Sequence, residues 1–230
     1  KVAQIVRREI SKRPQPSFIT STLQQAGSRF FGFAPARTMK LAQKLYEGVD
    51  LGSGAVGLIT YMRTDSPAIS KEAQQAARAL IAEKFGADYL PDSPPVYRSR
   101  GNAQEAHEAI RPTEAARTPE DVAAFLDPEE LKLYRLIWQR FVASQMANAR
   151  IAQRTAEVEA VPPPGKTSTY LFRATASEVT FPGYMKVMGF EAEKKEKEDE
   201  PLAEGEEEGA LPPLNEGESL EHLEWLESRK

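Results

Sequence analysis

The spacing of apolar residues changes twice along the chain, and this pattern is the feature that most constrains the fold. The first residues are rich in β-branched and apolar side chains, as in a strand. Residues 15–148 instead carry apolar side chains at helical spacing. The stretches 152–161 and 167–180 then alternate between apolar and polar residues, as strands do. This order predicts an α+β fold, in which a mainly helical domain (residues 15–148) is inserted into a β-rich domain (residues 1–14 and 149–230).

Proline, serine and glycine mark the predicted ends of helices in the middle region. Proline is favoured at the first helical position and glycine just past the last, so Pro35 and Gly48 bound one predicted helix. Ser70 and Gly86 bound a second, with the serine hydroxyl as its N-terminal cap. Pro128 begins a third and longer helix.

The composition limits the chemistry that is available to the chain. It contains no cysteine, which excludes disulfides, thiolate zinc sites and a cysteine nucleophile. The two histidines, His107 and His222, are too few for a histidine-rich metal site, and no metal ligands are predicted. Catalysis would therefore depend on Tyr, Ser, Arg, Lys or carboxylate side chains.

The charge is distributed unevenly along the chain. A net charge of -4 argues at first against nucleic-acid binding. Much of the acid, however, lies in the tract EAEKKEKEDEPLAEGEEE, which predicts a mobile loop at about residues 191–209. The first 150 residues are close to neutral or basic, which is compatible with binding DNA. No run of about eighteen apolar residues is present, so no membrane span is predicted and a cytoplasmic location is expected.

The densest group of reactive side chains begins at Tyr61. The run Val56 to Tyr61 predicts a short strand that delivers the tyrosine to its end. A nearby cation favours the phenolate of a tyrosine and neutralises charge on a phosphoryl transition state. Arg63 would share the face of Tyr61 on a strand, or could bracket the same phosphate in a turn, and Asp65 could orient Arg63. Tyr61 is therefore a candidate nucleophile; the alternative is a tyrosine packed on the core beside a solvated Arg–Asp pair.

A second group lies in the stretch NAQEAHEAIRPT, residues 102–113. If its middle is helical, as predicted for residues 105–110, His107 and Arg111 share a face and could contact phosphates. Neighbouring carboxylates could tune the imidazole. The alternative is a histidine with a purely structural role.

A third group lies in the stretch PSFITSTLQQA, residues 16–26. Thr20 or Ser21 can cap a helix that starts here, and Gln24 follows one turn later. Hydroxyls, amides and a helix N-terminus together form a plausible surface for contacts to a phosphate backbone. The alternative is simply a well-capped helix.

These three stretches occur in an order and at a spacing that resemble type IA DNA topoisomerases of the bacterial topoisomerase I kind. They are PSFITSTLQQA (16–26), GLITYMRTDS (57–66) and NAQEAHEAIRPT (102–113). The resemblance continues through LYRLIWQRFVASQM (133–146) and, more weakly, PGYMKVMGF (182–190). It implies a winged-helix-like domain that carries the catalytic tyrosine, inserted into a β-rich gate or arch domain.

The resemblance implies a mechanism and a set of roles. Tyr61 would attack one DNA strand and form a 5′-phosphotyrosyl bond; after the other strand has passed, the reverse reaction would reseal the break without ATP. This would relax negatively supercoiled DNA. Arg63 would stabilise the scissile phosphate and Asp65 would position it. His107 would contact the backbone or assist proton transfer, Arg111 would support DNA binding, and a single-stranded segment of DNA would be the partner.

The resemblance also implies parts that this sequence does not show. The Mg²⁺ of the family is held by acidic residues of a TOPRIM domain, and no such acidic cluster is found before residue 15. We therefore expect half an active site here, with the TOPRIM and remaining domains of the same enzyme as its partners, no zinc in this chain, and an isolated fragment that is inactive.

Two other functions remain open from the sequence. One is a non-catalytic module that binds or clamps single-stranded DNA. The other is a decatenase of the topoisomerase III kind, whose members more typically have proline between the tyrosine and the arginine, where this chain has Met62.

Overall fold

The computed structural model describes residues 1–52, 54–97, 108–160, 169–189 and 211–220. His107 and the predicted acidic loop at about residues 191–209 lie outside these ranges. The described chain divides into two compact units. A sheet unit is formed by residues 1–12, 149–182 and 211–220, and a helical unit by residues 13–148 and 183–189.

The secondary structure mixes helices and strands, which confirms the predicted α+β class. In chain order, the elements of the described residues are β1 (Val2–Lys12), α1 (Thr20–Phe31), α2 (Pro35–Glu47), β2 (Val49–Asp50), β3 (Ala55–Val56), α3 (Lys71–Phe85), α4 (Pro119–Val122), α5 (Pro128–Ser144), β4 (Ala149–Ala160), β5 (Tyr170–Phe181) and α6 (Met185–Met188). Two 3₁₀ turns, Ala87–Tyr89 and Ala123–Phe125, complete them. None of these helices is long and apolar enough to cross a membrane.

Helices α2 and α3 begin and end where the sequence predicts, and α5 begins there. Proline occupies the first turn of α2 and of α5. The hydroxyl of Ser70 accepts a hydrogen bond from the backbone N–H of Ala73, which caps α3. Gly48 and Gly86 follow α2 and α3 with positive φ angles, a backbone conformation that glycine adopts at little cost.

The sheet unit is a long antiparallel sheet of three strands in the order β1-β4-β5. Residues 211–220 run along β1: the backbone N–H of Val2 donates to the carbonyl of Glu218, and that of Gly217 donates to the carbonyl of Val2. Among the described residues of this unit, Val2, Ala149 and Ala156 are buried.

The helical unit has a much larger hydrophobic core. Its fully buried side chains come from α1, α2, α5 and the segments that connect them. They include Phe18, Leu23, Leu45, Leu58, Ile59, Ile110, Leu133, Tyr134 and Ile137. Leu58, Ile59 and Met62, which flank the candidate nucleophile, are part of this core.

Residues 183–189 differ from the prediction, which assigned them to the β-rich domain. The backbone N–H of Tyr184 donates to the carbonyl of Ala147 at 3.0 Å. Met185 and Val187 of α6 are buried, and α6 packs on α5. This apolar turn therefore belongs to the helical unit, because its hydrophobic side chains find a core there.

Candidate active site around Tyr61

The segment Tyr61 to Ser66 alternates strictly between exposed and buried side chains. Tyr61, Arg63 and Asp65 are exposed, whereas the residue that follows each of them (Met62, Thr64 and Ser66, respectively) is buried. The chain bends at Met62 and Arg63, so this alternation belongs to an irregular segment and not to a strand. It presents the tyrosine, the arginine and the aspartate to the solvent, and their buried neighbours anchor the segment in the unit.

The start of α1 holds this segment from one side. The hydroxyl of Thr20 donates to the carbonyl oxygens of Met62 and Thr64, at 2.9 and 3.0 Å. The same hydroxyl accepts from the backbone N–H of Thr64 at 2.9 Å. The backbone N–H of Thr20 also donates to the carbonyl of Thr64, at 2.9 Å. Four hydrogen bonds thus join one residue of the 16–26 stretch to the tyrosine segment.

The stretch 108–113 holds the chain just before the tyrosine. The backbone N–H of Thr60 donates to the carbonyl of Arg111 at 2.9 Å. The Thr60 hydroxyl donates to the carbonyl of Ala109 at 2.7 Å and accepts from the backbone N–H of Arg111 at 3.0 Å. The backbone N–H of Ile110 donates to the carbonyl of Phe18, which joins this stretch to the first one. The described parts of all three motifs therefore meet around Tyr61.

The predicted strand from Val56 to Tyr61 is wrong in its extent, because β3 ends at Val56. Beyond that point the backbone N–H of Leu58 donates to the carbonyl of Leu45 in α2, and Ile59 forms a single antiparallel bridge with Pro112, next to the bond from the Thr60 N–H to the Arg111 carbonyl. The chain bends at Thr60, directly after this bridge, so no continuous strand reaches Tyr61.

The predicted helical turn at residues 105–110 is also wrong in the part that the structure describes. Glu108 and Ala109 lie outside any helix, and Ile110 forms a β-bridge with Phe18. Residues 101–107 lie outside the described residues. Arg111 does not lie on a helix, so the helical face that it was expected to share with His107 is not observed.

The side chain of Arg111 forms hydrogen bonds with residues next to it in the sequence. Its Nε donates to the Glu108 carboxylate at 2.8 Å, and its Nη1 donates to the carbonyl of Pro112 at 2.9 Å. The side chain is only 13% exposed. These contacts fix the end of the stretch that holds Thr60, and a direct role of Arg111 in DNA binding stays a prediction.

Arg63 and Asp65 are exposed to the solvent, as Tyr61 is. In the part of the chain that the structure describes, no hydrogen bond or ion pair joins Arg63 to Asp65, so the predicted orientation of the arginine by the aspartate is not observed. Both groups face water, where an exposed ion pair gains little free energy. The guanidinium is thus available to an anion.

The start of α1 differs in detail from the prediction that Thr20 or Ser21 caps it. The N-terminal cap position is Ile19, and the hydroxyl of Thr22 accepts a hydrogen bond from the Ile19 backbone N–H at 3.0 Å. Ser21 is exposed and Gln24 half-buried, so both remain accessible, whereas the Thr20 hydroxyl is used inside the unit.

Two residues of the site were not identified from the sequence. Thr60 joins the tyrosine segment to the 108–113 stretch, as described above. Tyr46, at the end of α2, lies beside the candidate nucleophile, with its ring 5.4 Å from that of Tyr61 in an edge-on arrangement. Its side chain is 41% exposed.

A model of the protein family described as DNA topoisomerase matches residues 1–229. The chain belongs to the DNA topoisomerase family. Curated relatives include the DNA topoisomerase 1 of Xylella fastidiosa, 46% identical over 95% of this chain, and that of Rickettsia felis, 44% identical over 98% of it. The DNA topoisomerase 1 of Treponema pallidum is 44% identical over 95%.

The likeness to topoisomerases extends to a solved structure. Full-length topoisomerase I from Thermotoga maritima is 35% identical, with a TM-score of 0.73 over 94% of this chain. This chain spans 32% of that structure's chain, and 26% and 27% of the Xylella and Rickettsia relatives. The chain therefore has the fold of a part of topoisomerase I and spans about a quarter to a third of these relatives.

The metal that the resemblance implies finds no site among the residues that the structure describes. They contain no group of three or more His, Asp or Glu side chains that could hold a cation. Within these residues, Asp65 is the only carboxylate on the exposed face of the tyrosine segment. The residues at hand therefore do not fit a magnesium site by themselves.

Proposed function

We propose that this chain is the part of a type IA DNA topoisomerase that carries the nucleophilic tyrosine, Tyr61. The match to the DNA topoisomerase family over residues 1–229 supports the class of enzyme. The whole enzyme would relax negatively supercoiled DNA by cleaving one strand, passing the other through the break and resealing it. The partner is a single-stranded segment of DNA.

The observation that carries the proposal is the way Tyr61 is presented. Its side chain is 48% exposed, although Met62 beside it is buried in the core. A nucleophile must reach its substrate and yet be held in one place, because small errors in position slow a reaction strongly. The anchored and alternating segment meets both needs.

The proposed chemistry is a pair of transesterifications. The hydroxyl oxygen of Tyr61 attacks the scissile phosphorus while the phenolic proton leaves. The bond from phosphorus to the 3′ oxygen breaks, and that oxygen takes up a proton, which yields a 5′-phosphotyrosyl bond and a free 3′-hydroxyl. The reverse reaction restores the strand and the tyrosine. One phosphate ester replaces another in each direction, so no ATP is required.

Arg63 is proposed to bind the phosphate during both reactions. It is exposed, as Tyr61 is, and its guanidinium presents several N–H donors in a plane that matches a phosphate. Negative charge grows on the phosphate oxygens in the transition state, where a fixed cation stabilises it most. Asp65 is also exposed and is proposed to position the phosphate or the arginine.

The remaining parts of the site are proposed to come from other domains of the same enzyme. The chain spans about a quarter of the curated relatives described above, which leaves room for the TOPRIM domain that the resemblance implies. Mg²⁺ would be held there. We expect the isolated chain to form no covalent adduct.

The test uses an oligonucleotide labelled at its 5′ or its 3′ end, and a full-length enzyme that carries this chain, with Mg²⁺. We expect a denaturation-resistant adduct that retains the 3′ label, because the protein is joined to the 5′ phosphate of the downstream piece. Tyr61→Phe should abolish the adduct, since it removes one oxygen and keeps the ring. An adduct of undiminished yield with Tyr61→Phe would rule out this tyrosine as the nucleophile.

The neighbouring tyrosine provides the matched control. Tyr46→Phe removes the hydroxyl of the neighbouring tyrosine, whose ring centroid lies 5.4 Å from that of Tyr61, and keeps the ring that makes the aromatic contact. It should still form the adduct. If no variant and no wild-type enzyme forms an adduct, but DNA binding weakens with salt, the chain is a binding module and the catalytic proposal is wrong. Decatenation of linked circles without relaxation would favour an enzyme of the topoisomerase III kind.

A further inference from the structure

The hydroxyl of Thr20 forms hydrogen bonds within the protein and is not free to bind a phosphate of DNA. A threonine hydroxyl offers one hydrogen and two lone pairs. Here the hydrogen is shared between the carbonyls of Met62 and Thr64, and a lone pair receives the N–H of Thr64. A phosphate oxygen only accepts hydrogen bonds. It could bind this hydroxyl only if the hydrogen left both carbonyls.

The three groups that Thr20 contacts belong to three successive peptide planes. The carbonyl of Met62 lies in the peptide bond that leads into Arg63, and the N–H of Thr64 lies in the bond that leads out of it. The carbonyl of Thr64 lies in the bond that leads into Asp65. Since each peptide unit is planar, the hydroxyl restrains the backbone on both sides of the Arg63 Cα.

The other restraint on this segment lies on the far side of the tyrosine. There the N–H of Thr60 is bonded to the carbonyl of Arg111, and the Thr60 hydroxyl is bonded to Ala109. Tyr61 and Arg63 therefore lie between two threonines that each use both a backbone N–H and a hydroxyl. No regular ladder supports this stretch, so these side chains take its place.

We propose that Thr20 is a positioning residue for strand cleavage. Its hydroxyl fixes the backbone on both sides of Arg63 and so sets the point from which the Arg63 side chain extends, relative to Tyr61. This inference rests on the proposed function, because it concerns the same tyrosine and arginine. It assigns Thr20 a role through these residues and not a contact with DNA.

The test compares Thr20→Val with Thr20→Ser in a full-length enzyme that carries this chain. Valine keeps the shape of threonine without the hydroxyl, and serine keeps the hydroxyl. The measured quantities are the single-turnover cleavage rate at saturating oligonucleotide and, separately, the dissociation constant from fluorescence anisotropy without Mg²⁺. Thr20→Val should slow cleavage on the order of tenfold to 100-fold, the cost of a small misplacement, with an unchanged dissociation constant. Thr20→Ser should cleave nearly as fast as wild type.

Thr22 provides the matched control on the same helix. Its hydroxyl accepts from the Ile19 N–H and donates to the Ile19 carbonyl, and so remains within the first turn of α1. Thr22→Val removes an equivalent hydroxyl without touching the tyrosine segment, and should cleave at the wild-type rate. If Thr20→Val does not fold, Thr20→Cys replaces it, because a thiol is a weaker donor than a hydroxyl; its rate should fall below that of Thr20→Ser.

Three results would overturn the inference. Cleavage by Thr20→Val, or by its cysteine substitute, at the wild-type rate would show that the hydroxyl positions nothing. A slower rate matched by an equal loss of DNA affinity would make Thr20 a DNA contact. An equal loss with Thr22→Val would mean that only the stability of α1 matters. If in these cases Tyr61→Phe still abolishes the adduct, the proposed function stands and only the role of Thr20 fails; an adduct with Tyr61→Phe would remove both.

Discussion

In the helical unit, Phe18, Ile59 and Ile110 lie in a closed hydrophobic core together with Met62, whereas the described residues of the sheet unit bury only Val2, Ala149 and Ala156. The sheet gains its order from two long backbone ladders instead. Apolar residues of its strands, such as Ile10 and those at the start of β5, remain partly exposed.

The difference shows what each kind of order can do for function. Backbone pairing fixes the path of a strand but leaves exposed side chains free to change rotamer. A core fixes side chains, because interiors are packed as densely as organic crystals. The residues proposed for chemistry follow this division: Tyr61, Arg63 and Asp65 alternate with residues that the core or the Thr20 hydrogen bonds hold in place.

The difference in side-chain burial between the two units predicts its largest effect when an isoleucine is truncated to alanine in each of them. Ile137→Ala, in the buried face of α5, should lower the free energy of unfolding by about 2–5 kcal/mol, since a cavity adds to the lost burial. Ile10→Ala, in β1, removes a side chain that is 39% exposed and should cost less than about 1.5 kcal/mol. Urea denaturation followed by circular dichroism measures both. Equal losses would mean that the sheet unit buries more than its described residues show.

A second test compares two arginines. Arg63→Ala should lower the single-turnover cleavage rate by about 100-fold, as for other groups that stabilise a transition-state charge, with little change in melting temperature because the side chain is exposed. Arg173→Ala on β5 removes an exposed arginine that pairs with Glu157 and should leave cleavage unchanged. A drop in melting temperature without a loss of cleavage would make Arg63 a structural residue.

The smallest effect concerns a helix end, a feature that the sheet unit lacks among its described residues. Hydrogen bonds from the side chain and the backbone N–H of Thr118 hold the pKa of Asp121 below its ordinary value, at the start of α4. Because the folded state favours the ionised form, this contribution is present above the ordinary pKa of about 3.9 and is lost as the pH falls through the lower folded pKa. The stability difference between wild type and Asp121→Asn should therefore narrow in acid. A constant difference would contradict the assignment.

Much of the fold follows from local signals in the sequence. Pro35, Ser70, Gly86 and Pro128 mark helix ends because their backbone and capping preferences act within one turn. The alternating stretches likewise predict β4 and β5, since period-two patterning is local. The order of these signals along the chain also predicts that a helical region separates β1 from β4.

The remainder could not be predicted because it depends on partners far apart in the chain. Thr20 looked like a helix cap or a phosphate contact, and only its distance from Met62 and Thr64 shows where its hydroxyl is used. The strand expected to end at Tyr61 stops at Val56, and the chain bends at Thr60 after hydrogen bonds to α2 and to the 108–113 stretch. No local pattern records these distant partners.

From Tyr61 to Ser66, exposed and buried side chains repeat with a period of two residues. Deleting one residue would exchange the parity of every later position, so that Met62 or Thr64 would face the solvent and a charged side chain would point inward. Insertions and deletions here are therefore tolerable only in pairs, whereas residues 57–60, which directly precede the segment, do not alternate between buried and exposed. Variation in length among natural and engineered versions of this protein is expected to accumulate before the segment and to stop at its edge.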